Sequence, residues 1–263
     1  MTEVVLTIVG FSILFLMTTA GSALVFFFKT ESPKANTLFL GFASVVMIAA
    51  SVWSLLLPSL SQSEEMFNNL AFLPPVIGFI LGGAFLVLID KIVPHMHSGT
   101  GEEEGLKAPT MSKSSKMMLA VTIHNIPEGL AVGFAFGAAH ASGDMSAIIS
   151  ALMLAIGMGL QNFPEGAAVS LPMRASLGSK TKAFAFGALS GAVEPVFAVV
   201  GFFLASSLSV LQPWFLAFAA GAMIFVVSED LIPDARMSEH PHLGTWGVMA
   251  GFAVMMVLDV ALG

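Results

Sequence analysis

Eight long apolar stretches, separated by short polar segments, follow one another along the chain. A helix that crosses the hydrocarbon core of a bilayer needs about 20 predominantly apolar residues, and each stretch approaches or exceeds that length. The pattern predicts an all-α integral membrane protein in which residues 1–263 form one transmembrane domain. Its eight helices are predicted at roughly 4–28, 36–57, 70–93, 117–139, 146–173, 182–208, 213–233 and 243–262.

The composition agrees with a membrane protein. The chain is 56% hydrophobic and 10% charged, whereas a soluble domain is usually about 25% charged. It contains no cysteine, which excludes disulfides, thiolate metal sites and cysteine nucleophiles. The first apolar stretch is longer than a signal-peptide core of about 7–15 residues, so we interpret it as a retained spanning helix.

Basic residues are distributed unevenly between the two sides of these helices. All ten Lys and Arg residues lie at or near the connections that follow the first, third, fifth and seventh helices. The alternate connections, 58–69, 140–145 and 209–212, contain none. Because cytoplasmic loops are enriched in Lys and Arg, both termini are predicted outside and the 94–116 loop in the cytoplasm. The expected location is a plasma membrane, which is the inner membrane in a bacterium.

Two similar hexapeptides lie within the fourth and fifth helices. HNIPEG occupies residues 124–129, and QNFPEG occupies residues 161–166. His124 and Glu128 are four residues apart on one helix face, and Gln161 and Glu165 repeat this spacing. Because consecutive spanning helices run antiparallel, two copies near the membrane midplane can face each other and present nitrogen and oxygen atoms around one point.

Carboxylates inside these helices are costly to insert. An acidic side chain at the centre of a spanning helix costs about 3 kcal/mol, and Glu128, Glu165 and Glu194 lie well inside predicted spans. No Lys or Arg lies at their depth to pair with them. Two carboxylates balance one divalent cation, and imidazole with carboxylate and amide oxygens suits zinc and other first-row metals. The residues therefore predict a site for a divalent cation.

Prolines accompany all three carboxylates. Pro127 and Pro164 cannot donate to the carbonyl four residues before them, so kinks are predicted in the fourth and fifth helices. Freed backbone groups in a bilayer are tolerated only where they are buried in protein or line a cavity. Pro195 follows Glu194 in the sixth helix and repeats the combination. Three such helices imply a polar transport path between them.

With these features, the chain resembles the ZIP (Zrt/Irt-like protein) metal-ion transporters, and in particular their bacterial GufA-like branch. The resemblance rests on the paired motifs, the eight spans, the outside termini and a histidine-bearing cytoplasmic loop. It implies a three, two and three arrangement of helices, an elevator-like sliding of one bundle and a homodimer. It also implies inward transport of divalent metals, Zn²⁺ first and also Cd²⁺, Fe²⁺ and Mn²⁺, with no resident cofactor.

The resemblance further implies a binuclear metal centre between the fourth, fifth and sixth helices. Matched by motif, the ligands are His124, Glu128, Gln161 and Glu165 at the first position and Asn125, Asn162 and Glu194 at the second. Glu128 and Glu165 would bridge the two positions. Some family members have aspartate where Asn162 stands, and a neutral amide weakens the binding of a second cation.

Five further residues are weaker candidates for the metal path. They are Met47, His95, His97, Glu229 and Asp259. Met47 is assigned only through the resemblance, and core packing explains most methionines. The two histidines lie beside a cytoplasmic helix end, where they are either ligands for departing metal or ordinary loop residues. Glu229 and Asp259 lie near the inner and outer membrane surfaces respectively.

Other functions compete with metal transport. A proton-coupled carrier or channel for a non-metal substrate would use the buried carboxylates as a proton relay. The same polar residues also fit a structural network that joins kinked helices. An intramembrane metal hydrolase needs an open water position, and the chain lacks HExxH, so no enzyme activity and no catalytic residue are expected. The expected partners are divalent cations, lipid and a second copy, without nucleic acid.

Overall fold

Among the residues that the structure describes, eight helices are long and apolar enough to cross a membrane, which confirms the predicted all-α membrane architecture. The structure is a computed structural model that describes residues 2–28, 32–96, 103–108, 110–235 and 237–262. The spans are Thr2–Phe26 (α1), Pro33–Leu70 (α2), Leu73–Ile92 (α3), Met118–Ser142 (α4), Met145–Arg174 (α5), Lys180–Ser207 (α6), Ser209–Asp234 (α7) and Pro241–Asp259 (α8). The helices of α4 and α5 extend beyond their spans to Lys113–Ser142 and Met145–Leu177.

Several spans change their helical winding along their length. The α-helix of α1 covers Thr2–Ser22 before a 3₁₀ turn at Ala23–Phe26, and α6 divides into Lys180–Gly191 and Val193–Ser207. The segments of α2 are Pro33–Ala50, a π-turn at Ser51–Leu56, Leu57–Phe67 and a 3₁₀ turn at Asn68–Leu70. Those of α7 are a 3₁₀ turn at Ser209–Leu211, Gln212–Val226, a π-turn at Val227–Leu231 and Ile232–Asp234. In α8 the α-helix covers Pro241–Met256, and a π-turn at Val257–Leu262 continues the helix beyond the end of the span.

The π-turns of α2 and α7 each lie just before a proline, Pro58 and Pro233 respectively. Proline cannot donate the next helical hydrogen bond, and a π-turn adds one residue to the local winding. The helix therefore continues through the proline, with the side chains beyond it rotated around the axis. In α2 this carries the helix past residue 57, its predicted end, to Leu70.

The helices pack in four close pairs: α1 with α5, α4 with α6, α3 with α7, and α2 with α8. The first two pairs contact each other and form the α1/α4/α5/α6 bundle, and the other two form the α2/α3/α7/α8 bundle. Between the bundles, α5 contacts α2 and α4 contacts α7. All three helices of the predicted site therefore lie in one bundle, next to the boundary with the other. The three, two and three arrangement and the sidedness of the termini stay predictions.

Glycines allow the close pairs to approach backbone to backbone. A Cβ atom added to Gly133 of α4 would lie 2.2 Å from a carbonyl oxygen of α6. In the other bundle, a Cβ atom on Gly82 of α3 would lie 2.0 Å from a carbonyl oxygen of α7. Small residues of this kind let membrane helices associate through close packing. The main apolar core draws its buried side chains from both bundles.

A short hairpin lies between α3 and α4. Its strands, β1 (His95–Met96) and β2 (Glu103–Glu104), pair antiparallel with His95 opposite Glu104. The first strand contacts the helix of α4. The predicted 94–116 loop therefore contains structure that packs against a helix of the site.

Candidate metal site

Both hexapeptides lie in helices that continue through their prolines. Pro127 is inside Lys113–Ser142, and Pro164 is inside Met145–Leu177. The α5 helix begins firmly at Asp144, whose side chain accepts hydrogen bonds from both the backbone nitrogen and the hydroxyl of Ser146, as an N-cap residue does. Continuous helices keep the four-residue spacings of each motif on one helix face, and Glu128, Gln161 and Glu165 are buried there.

Glu128 of α4 and Gln161 of α5 join the two motifs directly. Gln161 Nε2 donates to Glu128 Oε2 over 2.6 Å, and both side chains are buried. The same nitrogen also donates to the side-chain oxygen of Asn162. The motif-ending Gly129 supports this meeting point, because a Cβ atom there would lie 2.4 Å from the carbonyl oxygen of Glu194. The structure thus brings α4, α5 and α6 together at the predicted position.

Glu194 of α6 accepts hydrogen bonds from three side chains. Asn125 Nδ2 and Thr18 Oγ1 each lie 3.1 Å from Glu194 Oε1, and Asn162 Nδ2 donates to Oε2. Asn125 also donates to the backbone oxygen of Ser190 over 3.1 Å. The predicted residues of the second position therefore lie together. Thr18, on α1, is a member of this group that the motifs do not contain.

Three buried oxygens at the site accept no hydrogen bond from the residues that the structure describes: Asn125 Oδ1, Gln161 Oε1 and Glu165 Oε2. A buried polar atom without a partner costs about 1–3 kcal/mol, and such atoms in native proteins call for an explanation such as an ion or water. All three belong to predicted ligands, and divalent cations bind carboxylate and amide oxygens. The donor set therefore fits a cation.

The site gathers three carboxyl groups and three side-chain amides from α4, α5 and α6. The carboxyl groups of Glu128, Glu165 and Glu194 lie close enough to repel one another when ionised. Across the described ranges, no three His, Asp or Glu side chains converge closely enough to hold an ion by themselves. Amide nitrogens instead lie against the carboxylates. Turning these amides through half a turn would present oxygen in place of N–H.

His124 faces α7 across the boundary between the bundles. Its Nε2 atom is 3.1 Å from Asp230 Oδ2. Asp230 lies in the π-turn of α7 and is buried, whereas Glu229, the residue predicted to line the path, is exposed. The carboxylate beside the predicted imidazole ligand is therefore Asp230. A π-turn has no distinct sequence pattern, although the proline that follows could have indicated irregular winding.

The remaining candidates lie in different surroundings. Met47 is fully buried in the apolar core. His95 is also buried, its Nδ1 atom lies 2.8 Å from the backbone oxygen of Val93, and its Nε2 atom lies 3.6 Å from Asp90 Oδ1. His97 lies outside the described residues. Roles for these residues in metal passage stay predictions.

Asp259 borders a cavity of about 420 Å³ whose lining comes from α2, α4, α5, α7 and α8. Ser54 Oγ donates to its Oδ1 atom over 2.7 Å. The other lining residues include Trp53, Gln62 and Ser150. The cavity lies between the two bundles, and a role for Asp259 at a cation entrance stays a prediction.

The family model and the known proteins that are similar to this chain are all described as zinc transporters. A family model described as "ZIP Zinc transporter" matches residues 102–259. Human "Zinc transporter ZIP11" is 36% identical over 323 residues, covering 94% of this chain and 94% of that protein. "Zinc transporter GufA" of Myxococcus xanthus is 38% identical over 213 residues, covering 80% and 81%. "Zinc transporter ZIPB" of Bordetella bronchiseptica is 36% identical over 262 residues, covering 97% and 82%.

Proposed function

Because this chain belongs to the ZIP zinc transporter family, we propose that it carries Zn²⁺ toward the cytoplasm through the site between α4, α5 and α6. It is an integral inner-membrane protein that transports metal, and its relatives are named as zinc transporters. We also propose that two groups of ligands bind the metal, that the protein works as a homodimer and that it also transports Cd²⁺, Fe²⁺ and Mn²⁺.

The three buried oxygens that accept no hydrogen bond from the described residues support this proposal most directly. They belong to Asn125, Gln161 and Glu165, which lie on two different helices. A network that only joined helices would gain by pairing its acceptors, because each unpaired oxygen costs free energy. Unpaired oxygens on residues that neighbour buried carboxyl groups are instead suited to a cation that enters, binds and leaves.

In the proposed binding step, Zn²⁺ exchanges its water shell for protein ligands. His124, Glu128, Gln161 and Glu165 form the first position, and Asn125, Asn162 and Glu194 form the second. Gln161 now donates to Glu128, so its amide must turn to offer oxygen. Nitrogen and oxygen ligands without thiolate suit a site that must also release its ion.

We also propose that the α1/α4/α5/α6 bundle slides against the other bundle. Within each bundle, paired helices meet backbone to backbone at glycines such as Gly133 and Gly82. At the boundary, Gly157 of α5 instead faces the flexible side chain of Met255 in α8. Close backbone packing resists sliding, whereas flexible side chains can repack. This difference supports movement between bundles rather than within them.

The test of transport is metal uptake into proteoliposomes with a gradient of Zn²⁺, Cd²⁺, Mn²⁺ or Fe²⁺. We expect Zn²⁺ uptake by the unmodified chain and a loss of uptake of at least about tenfold in His124→Ala. The reason is that mutating a residue that only hydrogen-bonds to a metal ligand already costs about 10–100-fold in metal affinity or activity. Equal uptake by variant and unmodified protein would rule out His124 as a ligand. No uptake of any of the four metals would rule out the proposed transport.

A second prediction concerns Asp230 and its neighbour Glu229. A carboxylate that holds a metal-binding imidazole orients the ring and raises its basicity, and its loss typically costs 10–100-fold in metal affinity. We therefore expect Asp230→Asn to raise the KM for Zn²⁺ about tenfold. Glu229→Gln removes the adjacent but exposed charge and is the matched control. A larger effect in Glu229→Gln than in Asp230→Asn would reverse the assignment.

The three mutually repelling carboxylates also favour a second function, a proton-coupled carrier or channel for a non-metal substrate. In that case Glu128, Glu165 and Glu194 would pass a proton and would bind no metal. Removing one of their charges would then alter proton coupling and leave metal binding unchanged. The charge-removing variant Glu165→Gln distinguishes the two functions.

A further inference from the structure

α1 contributes a hydroxyl to the centre of the site, although its sequence contains no ligand motif. Thr18 is fully buried, and its Oγ1 atom lies 3.1 Å from Glu194 Oε1. The same Oγ1 lies 3.1 Å from the backbone oxygen of Leu14. A backbone carbonyl and an ionised carboxylate both accept and do not donate, so the Thr18 hydroxyl is the donor and shares its one hydrogen between Leu14 and Glu194.

Two glycines make room for Thr18 at this level. A Cβ atom on Gly191 of α6 would lie 2.7 Å from both Thr18 Cβ and Thr18 Cγ2, and 2.9 Å from its Oγ1. A Cβ atom on Gly166, the last residue of QNFPEG, would lie 2.1 Å from the backbone oxygen of Thr18. α1 therefore fits tightly against α5 and α6, and Thr18 can reach Glu194 only because position 191 has no side chain.

Leu14, one helical turn before Thr18 on α1, contacts Asn162, which itself donates to Glu194. Asn162 Nδ2 lies 3.4 Å from the backbone oxygen of Leu14 while it donates to Glu194 Oε2. Leu14 and Thr18 thus contact two of the three predicted residues of the second position. Packing alone does not require a hydroxyl at Thr18, because a valine would fill the same volume.

We propose that Thr18 is a positioning residue for the second cation position. Its hydroxyl holds the Glu194 carboxylate toward Asn125 and Asn162, and thereby raises the affinity of that position for a divalent cation. The inference rests on the proposed transport function. Glu194 is the only carboxylate of the second position that the first position does not share, since residue 162 is a neutral Asn. Its orientation therefore matters more than it would beside a second acid.

The test compares Thr18→Val, Thr18→Ser and Thr19→Val in proteoliposomes. Valine keeps the shape of Thr18 without its hydroxyl, and serine keeps the hydroxyl. Thr19 is the matched control, because its buried hydroxyl makes no hydrogen bond within the described part of the chain. A hydrogen bond to a charged group changes an equilibrium by about tenfold or more. We therefore expect Thr18→Val to raise the KM for Zn²⁺ about tenfold, with a maximal rate near that of the unmodified chain.

A second measurement is equilibrium dialysis of Zn²⁺ against the purified variants in detergent. We expect Thr18→Val to bind Zn²⁺ more weakly, and Thr18→Ser and Thr19→Val to bind it as the unmodified chain does. If valine prevents folding, Thr18→Ala provides the same loss of the hydroxyl with less bulk. A KM in Thr18→Val equal to that in Thr19→Val, or a loss that serine fails to restore, would overturn the positioning role. An unmodified chain that neither binds nor transports Zn²⁺ would instead overturn the proposed function.

Discussion

Zn²⁺ uptake by the Glu165→Gln variant is expected to fall at least about 100-fold, because removing one partner from a buried charge pair costs about 3–5 kcal/mol. Glu165 is buried on α5, and it supplies one of the two negative charges proposed to balance a divalent cation at the first position. Glutamine has nearly the same shape and removes only the charge. Glu165 Oε2 makes no hydrogen bond with the described residues, so the fold loses no contact at that atom.

The measurement is initial Zn²⁺ uptake in proteoliposomes, together with Zn²⁺ binding to the purified protein. Glu65→Gln, a change at an exposed carboxylate of α2, is the control for the loss of one negative charge. Thermal unfolding in detergent checks that the variant is folded. If Glu165→Gln keeps Zn²⁺ binding and alters only proton movement, the carboxylate is a proton relay and the metal site is wrong.

The features of the chain that depend on local sequence could be predicted. Apolar length specified eight spans because backbone groups in a bilayer must be paired within a helix. The four-residue spacing in each hexapeptide put its polar residues on one face, and Glu128 and Gln161 do meet between α4 and α5. Membership of the ZIP family was likewise predicted from the paired motifs and is confirmed.

Features that depend on winding or on partner helices could not be predicted. Glu229 and Asp230 are adjacent acids, and only the π-turn of α7 turns Asp230 inward to His124. Thr18 is one of several hydroxyl residues in α1, and only its packing against Gly191 brings it to Glu194. The ligand roles themselves stay predictions, because an Asn or Gln that only forms hydrogen bonds cannot be told by residue type from one that binds a metal.

The contact between α4 and α6 leads to the second large expected effect, in the Gly133→Ala variant. A Cβ atom at Gly133 would lie 2.2 Å from the backbone oxygen of Ala198 and 2.9 Å from its Cα atom. Overpacking of a core costs about 1–3 kcal/mol. We expect a destabilisation of about 3 kcal/mol, at the upper end of that range, because backbone atoms cannot rotate away as a side chain can.

Gly83→Ala on α3 is the matched control for this substitution, because a Cβ atom there meets only Phe225 Cδ2 at 3.8 Å, an ordinary contact. Alanine is the better helix former by about 1 kcal/mol, so the control should unfold at the same temperature as the unmodified chain or higher. Thermal unfolding in detergent gives the stability of each variant, and Zn²⁺ uptake gives its function.

Gly133 lies about one helical turn beyond Glu128 and faces α6, the helix that carries Glu194. Forcing α4 and α6 apart should therefore also separate these two carboxylates and slow Zn²⁺ uptake. Equal stability and uptake in Gly133→Ala and Gly83→Ala would mean that α4 and α6 separate easily, which would contradict a bundle that moves as one body.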